Sequence, residues 1–206
     1  MNVLRRVKDT QEAAENKIDL PHVEPETMEL FIDWLYTGRF LAHGNFSLYP
    51  DDWNIEYDRN NEKREKDLTN LYVFGDAQDV PDLRHATINA FFEYLNHAGT
   101  PLPSLKWTAD IFSRLPRSSP LLQLLVDVDC RHYYCTDKDN IGHYEERVIA
   151  KLPLDFLVAV YARHGYVLGK MRIGEMDPQY KLVSCDYHEH ATQKKRDECA
   201  KNSEQK

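Results

Sequence analysis

Apolar and polar positions alternate in helical periods along most of this chain. Pro25 stands where a helix can begin, because its missing N–H would be unpaired there anyway. Met28, Phe31, Ile32 and Leu35 then follow at i, i+3, i+4 and i+7, which predicts one buried helical face. Leu30 and Trp34 add a second apolar ridge, and a helix apolar over so wide an arc packs on more than one side. Gly38 supplies the left-handed residue that ends it. Just upstream, "IDL" at 18–20 reads as a short strand, and residues 39–50 read as a strand or extended loop. The run "EYDRNNEKREKD" at 56–67 mixes both charge signs with no apolar period. It is expected to be a solvated surface loop, with a docking patch as the alternative.

Two helices separated by "VP" at 80–81 follow. Leu68, Leu71, Tyr72 and Gly75 share a face of the first, and the small Gly75 suits close packing. Pro81 opens the second, along which Leu83, Thr87, Ala90, Phe91, Tyr94 and Leu95 line one side. "NHAGTPLPSLK" at 96–106 carries the Pro, Gly and Ser of a connection and marks a subdomain boundary. A short helix is expected over 107–114, and another from Pro120, capped by Ser119. A further helix, "LPLDFLVAVYARHG", is expected to end with Arg163 and His164 near its negative end and Gly165 just past it. From about 170 onward the sequence turns polar and is expected to be poorly ordered. No internal repeat is found.

Taken in order, several of these segments resemble a BTB (POZ) domain. "IDLPHVEPETMELFIDWLYTGRF" is similar to the strand and helix carrying that domain's "F..WLYTG" signature. "DLTNLYVFGDAQDVPDLRHATINAFFEYL" resembles its following helical hairpin, with the pattern "L..LYV.AD...VP.L...A". "SSPLLQLLVDVDCRHY" and "LPLDFLVAVYARHG" look like the helical extension of fungal BTB proteins. The resemblance covers roughly residues 17–165. It departs at the start, where a BTB domain bears an "F..H...L" pattern on a hairpin and helix. The residues before Ile18 do not carry that pattern, so the N-terminal part of the domain is expected to be lacking.

The resemblance implies a mainly α fold with an α+β remnant: a BTB-like helical core with short strands and a helical extension. The implied organisation is a partial BTB domain at 1–96, the extension at 97–169 and a polar tail at 170–206. It also implies a non-enzymatic protein–protein interaction module, with Met28, Phe31, Ile32, Trp34, Leu35, Tyr36 and Gly38 on its organising helix. Leu68, Leu71, Tyr72, Pro81, Leu83 and Phe91 would build the hairpin. Another BTB protein, or a cullin reached through Thr37–Phe40 and residues 68–80, would be its partner. In the cullin case the chain would act as a substrate adaptor of a ubiquitin ligase.

Composition narrows the alternatives. Of 206 residues, 42% are hydrophobic, enough for a real core. The net charge of −8 argues against a nucleic-acid footprint. No apolar run approaches the roughly 20 residues of a membrane helix, and the N-terminus lacks a signal-peptide core. A location in cytoplasm or nucleus is expected, with Cys130, Cys135, Cys185 and Cys199 as reduced thiols. In "CRHYYC", Cys130 and Cys135 do not share a helical face and are expected to be buried structural thiols.

No phosphate-binding glycine loop, nucleophile elbow or H-E-x-x-H occurs. The one chemical pattern is "CDYHEHATQKKRDEC", which spaces Cys185, His188, His190 and Cys199 as Cys-x2-His-x-His-x8-Cys. Thiolate and imidazole are the ligands zinc prefers, and four of them suffice for a closed structural site. The plain alternative is a polar tail whose Cys and His are incidental, with no cofactor.

Overall fold

The computed structural model describes residues 20, 23–38, 40, 55–96, 103–135, 150–176, 181–190 and 192–203. These residues are mainly α-helical, and no strand occurs among them. Most of the strand expected at 18–20 and of the extended segment at 39–50 lies outside the described residues. Leu20 and Phe40, which are described, have no regular structure. The helices are α1 (Pro25–Thr37), α2 (Ile55–Ala77), α3 (Pro81–Asn96), α4 (Leu105–Arg114), α5 (Pro120–Cys135), α6 (Leu154–Arg172) and α7 (Gln193–Ser203). A 3-10 turn, η1, covers Ser184–Tyr187. Two compact units result, Met1–Arg84 and His85–Lys206, so the division falls inside α3 and not in the 96–106 connection.

In the first unit, α1 begins at Pro25 as expected. It ends at Gly38, whose φ of 67° is left-handed and whose N–H donates to Trp34 O at 2.8 Å. The helix packs on α2 through Phe31, whose ring centroid lies 5.0 Å from that of Phe74. Leu71, Phe74 and Leu83 form the buried centre, with Met28, Leu30, Phe31, Trp34, Leu20, Val23, Phe40 and Val80 packed against it. Met28 and Phe31 of the expected face do pack inward, but Thr27, Leu30 and Trp34 complete the inward side in place of Ile32 and Leu35, so the helix is rotated toward its second apolar ridge. Ile32 and Leu35, expected on the buried face, are 42% and 60% exposed, and Tyr36, placed on the same organising helix, is 84% exposed. The two apolar ridges offered α1 a choice of rotation, and Phe31, stacked on Trp34 and tilted against Phe74, decided it.

The charged run 56–67 is not a loop. It forms the first part of α2. Glu, Lys and Arg are good helix formers, and Lys63 and Asp67 pair at i, i+4 (2.6 Å). Asn70 donates to Glu24 at 3.2 Å, and Lys66 pairs with the same carboxylate at 2.9 Å, tying α2 to the entry of α1. The hairpin residues lie as the periodicity predicts: Leu68, Leu71, Tyr72, Leu83 and Phe91 are buried, and Pro81 is an exposed first helical residue. A Cβ on Gly75 would stand 3.3 Å from the side chains of Leu83 and Arg84, so the close neighbours there are side chains, not backbone.

In the second unit, Ser104 caps α4 by accepting from Trp107 N at 3.2 Å. α5 buries Leu121, Leu122, Leu124, Leu125, Val126, Val128 and Cys130, so it is enclosed on nearly every side. α6 packs against it through Phe156, Ala159 and Val160, with Phe112 meeting Phe156 edge to face at 5.1 Å. α6 does not stop at Gly165. It continues to Arg172, because the cost of a helical glycine, about 1 kcal/mol, is offset by fully burying Val167 two residues on.

The polar C-terminal segment is folded where it is described. η1 and α7 lie within 181–203, and Cys185 and Tyr187 are 3% exposed. A single buried acid draws this segment in. Asp127 accepts from Tyr187 Oη at 2.9 Å and from Gln123 Nε2 at 3.1 Å. Arg163 Nε stands 2.5 Å from the same carboxylate, a charge contact off the N–H axis. A buried carboxylate needs partners of this kind.

Candidate metal centre

η1 turns the chain so that Cys185 faces inward and His188 follows directly after the turn. α7 then carries Cys199 back to the same place. The result is a string of short contacts within the second unit. Cys185 Sγ is 3.3 Å from His190 Nε2, and His188 Nδ1 is 3.2 Å from Cys199 Sγ. Among the described residues, two groups of three donors result, each with its ligand atoms within 4.8 Å of one another: Cys185, His190 and Cys199, and His85, His188 and Cys199. Both groups could hold a metal ion, and Cys199 belongs to both. All four residues of the sequence pattern are thus brought together.

Two further residues were not legible as part of the site. His85 Nε2 lies 2.9 Å from His188 Nδ1, and Asn89 Oδ1 lies 2.8 Å from His188 Nε2. Their i, i+4 spacing puts them on one face of α3, but nothing local connects that face with residues about a hundred positions away. The signal available in the sequence was only this pairing of polar residues beside the apolar stripe.

The electrostatics suit a cation. Burial, helped by His85 and His190, lowers the His188 pKa to about 4, so the imidazole is neutral at pH 7 and its lone pair is free to bind. Burial, with the neighbouring Cys199, raises the Cys185 thiol to about 11. A thiol so placed ionises when a dication binds it, with release of a proton. Asn89 is the kind of carbonyl partner that fixes a ligating histidine by accepting from its other ring nitrogen.

Cys130 is of a different kind. It is fully buried in the α5–α6 packing, donates weakly to Val160 O at 3.8 Å, and burial pushes its pKa to about 12. That is the inert structural thiol expected from the sequence. The Cys135 side chain lies outside the described residues.

No family model, curated protein or solved structure matches this chain. Among the described residues, no helix is long and apolar enough to cross a membrane.

Proposed function

We propose that this chain is a non-enzymatic protein–protein interaction module of the BTB/POZ type. One observation carries the reading. Within the "FIDWLYTG" stretch that bears the resemblance, Ile32, Leu35 and Tyr36 are exposed in an i, i+3, i+4 row, while Phe31 and Trp34 of the same helix face the core. An apolar row held on a well-anchored helix is the usual material of a partner surface. The partner is a second BTB-type protein. In the more specific form it is a cullin, which would make the chain a substrate adaptor of a ubiquitin ligase.

The test uses the purified chain, a purified BTB domain and a purified cullin N-terminal domain, with binding followed by calorimetry. Leu35→Asp should abolish binding by changing the surface, and its thermal melt should stay within about 2 °C of wild type, because little core is touched. Binding that survives Leu35→Asp would remove α1 as the contact, and no binding to either protein would sink the reading.

A second reading concerns the Cys/His segment. The convergence of Cys185, His188, His190 and Cys199 supports a structural zinc site. Such a site holds a fold together and leaves no ligand position for chemistry. Zinc near one equivalent in protein purified without chelator is the expected result, and its absence after zinc dialysis would dispose of this reading.

A further inference from the structure

The zinc reading, as the sequence suggests it, is local: four donors between positions 185 and 199 close one loop. The geometry around His188 points elsewhere. An amide oxygen only accepts, so the 2.8 Å contact with Asn89 Oδ1 places the proton of His188 on Nε2. Nδ1 is then a lone pair, and it faces His85 Nε2 at 2.9 Å and Cys199 Sγ at 3.2 Å. Donors on one tetrahedral zinc stand about 3.3–3.8 Å apart, given bonds of about 2.0–2.1 Å to nitrogen and about 2.3 Å to sulfur. These three atoms are already near that spacing, and the Cys185 thiol is the hydrogen-bonding neighbour of Cys199.

We propose that His85 is a zinc ligand, acting with His188 Nδ1 and Cys199, whose donor atoms already lie within 4.8 Å of one another, and that the Cys185 thiol, the neighbour of Cys199, swings in to close the site as the fourth ligand. His190, 3.3 Å from Cys185 Sγ, braces that thiolate as a donor and is not a ligand. The proposal rests on the zinc reading and changes what the ion does. Two thiolates and two neutral imidazoles neutralise the dication, which suits a site of mixed burial. One ligand comes from α3, 103 positions before its neighbour His188, so the ion cross-links α3 to the C-terminal segment. It does more than close a loop inside that segment. The exposure of His85 leaves the ion a path in from solvent.

The experiment is a Zn²⁺ titration of the full chain against a chromophoric chelator, run on wild type, His85→Asn and His190→Asn. Hydrogen exchange is followed with and without the ion. Wild type should take up one equivalent. His85→Asn should weaken binding at least about tenfold more than His190→Asn, since loss of a ligand exceeds loss of a bracing group, which costs about 10–100-fold. Zinc should also slow exchange in residues 85–96 of wild type and not of His85→Asn. Equal affinity for wild type and His85→Asn, or greater loss in His190→Asn than in His85→Asn, overturns the proposal and leaves a local site. A wild-type chain that binds no zinc overturns the zinc reading itself, a result visible before any variant is compared.

Discussion

Tyr187 Oη donates a 2.9 Å hydrogen bond to Asp127 Oδ2, joining the C-terminal segment to the enclosed helix α5 across 60 positions of sequence. Both residues are almost fully buried, and burial beside the carboxylate drives the phenol pKa well above its usual value. The phenol is therefore neutral, and donates this bond, at any ordinary pH.

Tyr187→Phe keeps the ring and removes the donor. The Asp127 carboxylate then loses one of its partners while buried, which should cost about 1–3 kcal/mol. Urea denaturation followed by circular dichroism is the measurement, and a change below about 0.5 kcal/mol would mean that solvent reaches the acid.

On α1, Phe31→Ala should destabilise by about 2–3 kcal/mol, below the range for a fully buried ring, because Phe31 is only partly enclosed. Leu35→Ala, at 60% exposure, should stay within about 0.5 kcal/mol. Similar losses for the two variants would contradict the observed rotation of the helix.

Asp129 predicts a pH effect. Burial raises its folded pKa from 3.8 to about 6. The folded state thus holds a proton that the unfolded state releases. This contribution to stability is fully present below pH 3.8 and is lost as pH rises through about 6. Asp129→Asn removes the effect, so the variant should gain on wild type between about pH 4 and pH 6, by about 1–3 kcal/mol at the top. Parallel pH–stability curves for the two proteins would rule this out.

Thiol reactivity should separate the cysteines. With Cys130 fully buried and its pKa at about 12, iodoacetamide at pH 8 should modify Cys199, which is partly exposed, at least about tenfold faster. Peptide mapping by mass spectrometry reads the rates, and comparable labelling would indicate that the α5–α6 packing opens readily.

The sequence alone determined most of the helices of residues 25–164 and several of their ends. Pro25 and Gly38 bound α1 because proline and glycine act through their own backbone geometry, and Leu71, Leu83 and Phe91 are buried because a 3.6-residue period leaves them no other side. It also exposed the Cys/His spacing, since four ligands of two types within fifteen residues stand out locally. Where competing local signals were close in strength, it misled. The charged run 56–67 could be a solvated loop or a solvated helix, and the helix formers within it settled for the helix. Gly165 is an adequate stop until Val167 has a core to enter.

Only the tertiary structure decided which ridge of α1 faces inward, because both are apolar and the choice belongs to Phe74 on another helix. Only the tertiary structure ordered the polar C-terminal segment, because its anchor is a single acid 60 positions away. The same holds for His85 and Asn89: side-chain chemistry is local, but the meeting of α3 with His188 is made by chain folding over about a hundred residues, and no local pattern encodes it.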